Sequence, residues 1–222
     1  MTLPSFGTYS LTISTALYTV WLLPQILYNF RHHNITETSF FMHAFIMMGC
    51  AFDLNYGLGA HLPIQYLWVS CLNLTLLIIQ HYQWFSHRKT TPIILYWLLL
   101  SFLVISLITY SVLSHHYNWT TPKNVILAFG WLANSSFLLY PVPQIIKQYH
   151  NHSASGISLT FIFLSLTLNM LDLFSAYALT WPKPSYIGPF ILINCQLILL
   201  YQHYFYHARR NNAYGKTSTN YC

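Results

Sequence analysis

Long apolar stretches separated by short polar breaks dominate the chain. An α-helix rises about 1.5 Å per residue, so crossing a hydrocarbon core about 30 Å thick takes roughly 20 apolar residues. Seven segments reach that length, at about residues 7–30, 39–60, 64–86, 92–114, 124–147, 157–180 and 186–207. Histidines, charged residues and prolines fill the breaks between them. The pattern predicts an all-α membrane protein with seven transmembrane helices.

The scarcity of charge also indicates a lipid environment. Only 5% of the residues are charged and 55% are hydrophobic, and the only acids are Glu37, Asp53 and Asp172. Soluble domains carry about 25% charged residues, so a water-facing surface cannot be assembled here. The net charge of +6 comes from scattered Lys and Arg residues. Nucleic-acid binding needs them clustered, and we expect no nucleic-acid partner.

Basic loop residues predict the orientation, because short cytoplasmic loops of membrane proteins are enriched in Lys and Arg. One side collects seven basic residues: Arg31, Arg88, Lys89, Lys147, Arg209, Arg210 and Lys216. The other side has only Lys123 and Lys183. We therefore expect a cytosolic C-terminus and an N-terminus outside or in a lumen. A glycosylation sequon at Asn118 falls on the predicted non-cytosolic side.

Four motifs of the first three predicted helices recur, in the same order, in the last three. Pro24-Gln25-Ile26, Ser39 and Asp53-Leu54 recur 119 residues later as Pro143-Gln144-Ile145, Ser158 and Asp172-Leu173, and Gln80-His81-Tyr82 recurs 122 residues later as Gln202-His203-Tyr204. Helix 4 is then an unpaired linker that gives both halves the same orientation. Parallel repeats of this kind occur in secondary transporters.

The repeat predicts two parallel triple-helix bundles in a 3+1+3 arrangement. We expect residues 1–87 to form the first bundle and residues 88–122 to hold the linker helix with its loops. Residues 123–208 form the second bundle, and residues 209–222 form a cytosolic tail. A substrate would lie between the two bundles, near mid-membrane.

The duplicated Pro-Gln dipeptide, with the stretches from Trp21 to Ile26 and from Tyr140 to Ser158, resembles the signature of the PQ-loop family. This family includes lysosomal exporters of cystine and of cationic amino acids, and its architecture is related to that of the SWEET sugar carriers. The resemblance covers about residues 7–207 and implies a small-solute transporter. The cystine exporter has carboxylates at two positions occupied here by Ser165 and Gln196, so cystine specificity is not implied.

Proline inside a helix removes one backbone hydrogen bond and clashes with the carbonyl four residues earlier. Pro24 should therefore free the Val20 carbonyl, and Pro143 that of Leu139. A weakened turn at matching places in both halves predicts gate hinges at Pro24, Gln25, Pro143 and Gln144. A simple bend of each helix is the alternative, since prolines are common in membrane helices.

Asp53 and Asp172 each lie roughly 6 Å from the middle of a predicted span. An acid at that depth is a functional-site hypothesis by default, because a membrane charge is costly. No Lys or Arg lies in any predicted span core, and burial favours the uncharged carboxyl group. We expect these acids to couple transport to protons. A neutral acid that only packs against a neighbouring helix is the alternative.

Amide side chains within the predicted spans are the substrate-binding candidates: Asn55, Asn73, Asn134, Asn169 and Asn194. Interhelical hydrogen bonding is the alternative role for each of them. The resemblance to SWEET carriers, which hold sugar with asparagines of helices 3 and 7, points to Asn73 and Asn194.

The twelve histidines lack the companion cysteines or carboxylates of a metal site, so we expect neither a metal nor another cofactor. No catalytic motif is present, and we expect no enzyme activity. The leading hypothesis is a transporter that works by alternating access, with a small-molecule substrate and protons as partners in the lipid bilayer. It would export an amino acid or related metabolite toward the cytosol.

A facilitative sugar carrier is the first alternative. A seven-helix cargo receptor is the second, although holding a peptide carboxylate calls for Arg or Lys inside the bundle. We expect a lysosomal or vacuolar type of membrane in a eukaryote or a host cell, and the inner membrane in a bacterium. The oligomeric state is left open.

Overall fold

The computed structural model describes residues 3–32, 38–61, 64–87, 91–116, 122–180 and 184–218. Within these residues the secondary structure is helical. The helices are α1 (Leu3–Tyr18), α2 (Leu23–His32), α3 (Phe40–Gly59), α4 (Ile64–His87), α5 (Thr91–His116), α6 (Lys123–Leu139), α7 (Pro141–Asn151), α8 (Leu159–Ala178) and α9 (Pro184–Ser218).

These helices form seven units along the chain. Helices α1 and α2 belong to one bent unit, and α6 and α7 to another, while α5 is the linker between the two halves. The all-α architecture with seven helices is thereby confirmed. Among the described residues, three stretches are long and apolar enough to cross a membrane: Leu3–Arg31, Lys123–Asn151 and Leu159–Ala178.

The first unit is interrupted at residues 19–22, directly before Pro24. The Leu23 N–H donates to the Val20 carbonyl at 3.1 Å. The expectation that Pro24 leaves the Val20 carbonyl free is therefore wrong. Pro24 lies four residues after Val20 and has no N–H to donate to its carbonyl. Leu23, three residues after Val20, donates instead, as in a turn of 3₁₀-helix.

The second unit is interrupted at a single residue, and because prolines kink helices we call this interruption and the one at residues 19–22 the two bends. Tyr140 lies between α6 and α7, and its N–H donates to the Ser136 carbonyl at 3.1 Å. Pro143 follows in the first turn of α7. The N–H groups of a first turn have no partner inside their own helix, so Pro143 costs α7 no internal hydrogen bond, but it offers no N–H to the Leu139 carbonyl across the bend.

The two halves meet along two seams. In the first seam, α1 and α2 of the first half contact α8 of the second half; in the second seam, α3 contacts α6 and α7. Glycines allow close approach: a Cβ on Gly7 would lie 2.8 Å from Ala178 Cβ, and a Cβ on Gly49 would lie 2.7 Å from the Phe137 ring. We call the end of the bundle that holds Gln25 and Gln144 the PQ end.

Several features of the sequence lie outside the described residues or belong to side chains outside them. They are Glu37, Arg88, Lys89, the sequon at Asn118, Lys183, Arg209, Arg210, Lys216 and Cys222.

Candidate functional site

Gln25 and Gln144 each hold the start of the other half's second helical unit. The Gln25 side-chain oxygen accepts a hydrogen bond from the Ser158 N–H at 2.8 Å, directly before α8. The Gln144 side-chain oxygen accepts from the Ser39 N–H at 2.5 Å, directly before α3. Both glutamines are completely buried. We call these two reciprocal contacts the glutamine clasp.

Further hydrogen bonds join the halves around the clasp. The Gln25 amide nitrogen also donates to the Gly156 carbonyl at 3.1 Å, and the Tyr28 hydroxyl donates to the Ser155 carbonyl at 2.6 Å. The Thr38 hydroxyl donates to the Gly156 carbonyl at 2.5 Å. Thr38 and Gly156 therefore connect the two loops that precede α3 and α8. The PQ end is closed by polar contacts between the halves.

The two members of the clasp are not equally bonded. Gln25 makes two hydrogen bonds to the second half and donates a third to the Asn29 side chain at 2.9 Å. The Gln144 side-chain nitrogen is buried without a hydrogen-bond partner among the described residues. The glutamine side chain thus contributes two hydrogen bonds to the first seam and one to the second, where the Lys147 side-chain nitrogen adds a hydrogen bond to the Thr38 carbonyl at 3.0 Å.

Both predicted hinges lie beside the clasp. Pro24 follows the interruption at residues 19–22 and precedes Gln25, and Pro143 follows the bend at Tyr140 and precedes Gln144. A change in either bend would move the adjacent glutamine relative to the opposite half. The four residues predicted as hinges are therefore brought together with the contacts that join the halves.

An aromatic cluster lies next to the two bends. Trp21, in the interruption of the first unit, is only 5% exposed, and its ring stacks on Phe161 with 5.6 Å between ring centroids. Its indole N–H donates to the Ser165 hydroxyl at 2.6 Å. Tyr140 meets the Trp21 ring edge-on at 6.0 Å and accepts a hydrogen bond from the Gln196 side chain at 2.8 Å.

We call Trp21, Tyr140, Phe161, Ser165 and Gln196 the central cluster. Trp21 is its contribution from the first half, and the other four residues come from the second. The sequence reasoning did not assign Trp21 and Tyr140 to a site. The sequence feature that could have indicated them is the 119-residue interval. It relates Trp21 to Tyr140, and each of these aromatic residues lies shortly before a Pro-Gln dipeptide.

Asp172 forms a hydrogen bond across the first seam. Its carboxylate accepts from the Tyr18 hydroxyl at 2.6 Å, which joins α8 to the last residue of α1. Asp53 instead accepts from the Ser70 hydroxyl at 2.6 Å, and Ser70 lies in α4 of the same half. The residue equivalent to Tyr18 in the second repeat, 119 residues later, is Phe137, which has no hydroxyl group. The two acids are equivalent in sequence but not in surroundings.

The predicted asparagines are spread over different environments. Asn55 and Asn169 are buried, and each donates to the carbonyl of the residue four positions earlier in its own helix. Asn73 is buried in α4, with its side-chain oxygen lacking a partner among the described residues. Asn134 is half-buried, and its side-chain oxygen approaches Gly188 of α9.

Asn194 is exposed and donates to the Phe190 carbonyl of its own helix at 2.8 Å. It shares its face of α9 with the exposed apolar residues Phe190, Leu197 and Tyr201. The structure therefore does not bring Asn194 together with Asn73 at one site.

No group of three or more His, Cys, Asp or Glu side chains within the described residues is arranged to hold a metal ion. The polar atoms near the bends are hydroxyls and amides, which suit hydrogen bonding to a neutral or zwitterionic small molecule.

Comparisons with known proteins agree with the internal repeat. A family profile described as "PQ loop repeat" matches residues 6–66 and again residues 125–185, at the 119-residue interval. A solved structure of a eukaryotic SWEET transporter superimposes with a TM-score of 0.64 at 11% sequence identity, covering 91% of this chain and 99% of that one. This likeness confirms the 3+1+3 fold. No curated protein sequence matches the chain.

Proposed function

The chain belongs to the PQ-loop repeat family, and we propose that it carries a small solute across a membrane by alternating access of its two halves. It is a multi-pass membrane protein, and this family is not one of enzymes. The observation that carries the proposal is the glutamine clasp, in which each repeat holds the other through a buried side chain beside a helix bend.

A gate must be stable when closed and still open at modest cost. Each hydrogen bond of the clasp contributes about 0.5–1.5 kcal/mol net, because water replaces the lost partner when the contact opens. Gln25 and Gln144 make three direct hydrogen bonds to the opposite half, namely the two of the clasp and the one from Gln25 to the Gly156 carbonyl. Breaking these three bonds costs a few kcal/mol, which is compatible with a transport cycle.

The central cluster is the proposed place of the substrate. It lies next to both bends, where a movement of one half against the other changes the contact of Trp21 with Phe161 and Ser165. Aromatic faces contact the apolar parts of a solute, while the Ser165 hydroxyl and the Gln196 amide can bind its polar groups. Carriers built from parallel repeats hold substrate at such an interface.

We further propose that Asp172 couples transport to protons. An ionised carboxylate accepts a stronger hydrogen bond than a neutral carboxyl group does. Opening of the first seam would separate Asp172 from the Tyr18 hydroxyl and expose its carboxyl group to water, so its affinity for a proton would differ between the closed and open states. Asp53 keeps Ser70 as its partner, because both residues belong to the same half. Asp172 is therefore the stronger of the two coupling candidates.

The distribution of basic residues bears on the direction of transport. The excess of basic residues favours a cytosolic PQ end, and we propose export of an amino acid or related metabolite toward the cytosol. A facilitative sugar carrier is the second candidate. The absence of a charged side chain from the central cluster favours it, as does the solved SWEET transporter with the same fold.

The test is uptake into proteoliposomes from a panel of labelled amino acids and sugars, with and without an imposed pH gradient. We expect at least one solute to accumulate above equilibrium only when the gradient is present. Asp172→Asn should abolish this accumulation and leave solute exchange largely intact, whereas Asp53→Asn should have a weaker effect.

The outcomes separate the hypotheses. Accumulation that survives in Asp172→Asn contradicts proton coupling through this residue. Saturable uptake of a sugar that ignores the gradient favours the facilitative carrier. If no solute of the panel exchanges across the membrane, the proposed transport function is contradicted for both of these substrate classes.

A further inference from the structure

A groove of about 400 Å³ runs along the outer face of the first seam, near the PQ end. Val20, Leu23 and Leu27 form one wall, and Thr160 and Leu164 of α8 form the other. Because these walls come from opposite halves, the groove exists only while the first seam is closed at this level. Pro24 and Ser158 also line it, which places it directly outside the Gln25 arm of the clasp.

The chemistry of the groove changes along its length. Val20 and Leu27 are apolar and 41% and 54% exposed, as expected of side chains that contact acyl chains in a membrane protein. At the PQ end the groove is bordered by Arg31, which is exposed. Arg31 forms no ion pair or hydrogen bond with the described residues. The acids among those residues, Asp53 and Asp172, bond to Ser70 and Tyr18.

The equivalent positions of the second seam carry different residues. At the 119-residue interval, the equivalent of Thr160 is Phe41 and that of Leu164 is Phe45. The equivalent of Arg31 is His150. The second seam therefore has two phenylalanines where the first has a threonine and a leucine, and a weaker base where the first has an arginine. The set of residues that lines the groove is not repeated in the second seam.

We propose that this groove binds one anionic phospholipid, with an acyl chain between the walls and the headgroup phosphate at Arg31. Charge complementarity supports this occupant, since cationic pockets between membrane helices bind anionic headgroups. A lipid bound there contacts both halves beside the clasp and stabilises the closed first seam. The groove contains none of the residues proposed to bind the solute or the proton.

Native mass spectrometry of the full chain tests the proposal. Phosphatidylglycerol or phosphatidylcholine with identical acyl chains is added to the protein in detergent, and the detergent is then removed in the spectrometer. One arginine near the headgroup should favour the anionic lipid about fivefold. Arg31→Gln should remove this preference, and Arg31→Lys should retain it. Lys147→Gln removes a cation from the same end that lies outside the groove and bonds to the Thr38 carbonyl in the second seam, and this control should leave the preference unchanged.

Thr160→Phe introduces the side chain that the second seam carries and should reduce binding of both lipids. Because Arg31 is exposed, its variants report on the site even if Thr160→Phe lowers stability. Equal binding of the two lipids to the unmodified chain overturns the proposal, as does a preference that survives in Arg31→Gln. A dimer that dissociates in Thr160→Phe with unchanged lipid binding would assign the groove to a second copy of the chain and would also overturn it.

Discussion

Replacing Gln25 with alanine should loosen the PQ end more than the same change at Gln144. Gln25→Ala removes two hydrogen bonds between the halves, to Ser158 and Gly156, whereas Gln144→Ala removes one, from Ser39. At about 0.5–1.5 kcal/mol per bond, the closed state loses about 1–3 kcal/mol in the first variant and about half of that in the second.

These free energies convert into opening equilibria. A change of 1.4 kcal/mol corresponds to a factor of ten, so Gln25→Ala should raise the open population about 5- to 150-fold. Gln144→Ala should raise it about 2- to 10-fold. The difference follows from the unequal bonding of the two glutamines, which the matching dipeptides of the sequence do not reveal.

Amide hydrogen exchange of the protein in lipid nanodiscs measures this opening directly. The Ser158 amide loses its own acceptor in Gln25→Ala, so its faster exchange is expected whether or not the two seams open together. The informative amide is that of Ser39 in the second seam, whose acceptor Gln144 is unchanged. If both seams open together as one gate, its exchange must also accelerate, by the factor given above.

A matched control is available in the same experiment. Amides of α6 around residues 125–132 lie far from the PQ end and should exchange at the same rate in both variants. If Gln25→Ala accelerates exchange near Ser158 and leaves the Ser39 amide within twofold of the unmodified protein, the two contacts are independent. The clasp would then not be a single gate.

Three further predictions concern hinges, packing and topology. Pro24→Ala or Pro143→Ala should slow initial rates of uptake while the protein stays folded, because a regular helical turn stiffens the bend. Unchanged rates in both variants would show that the bends have only a structural role. Gly49→Ala should lower the melting temperature, since its Cβ would lie 2.7 Å from the Phe137 ring, and an overpacked core typically costs about 1–3 kcal/mol. A tag added after Cys222 should react only with reagents on the cytosolic side, and labelling from the other side would reverse the orientation.

The limits of two helices were predictable because apolar length determines them, whereas α9 (Pro184–Ser218) continues past the predicted segment 186–207. The segments expected at 39–60 and 157–180 correspond to α3 (Phe40–Gly59) and α8 (Leu159–Ala178). The repeat interval read from Pro24 and Pro143 is also the interval between the two family matches. Periodicity along a chain carries this information without any knowledge of tertiary contacts.

Partners across the seams were not predictable in the same way. A glutamine next to a proline shows hydrogen-bonding capacity, but it does not show that Gln25 reaches Ser158 of the other repeat. Asn194 was expected near a substrate, yet α9 is apolar on several sides, so its pattern does not tell which face points inward. Tyr18 could have been found as a departure from symmetry, because its counterpart Phe137 has no hydroxyl group.

The central claim is that the two repeats must separate at the PQ end for solute to pass. Thr38 and Gly156 belong to opposite halves and are in direct hydrogen-bond contact, so cysteines at these positions should form a disulfide in a background without the native cysteines. We predict that uptake into proteoliposomes stops when Thr38→Cys/Gly156→Cys is oxidised and returns after reduction, while each single variant is unaffected by oxidation. Full uptake by the completely cross-linked protein would contradict the claim.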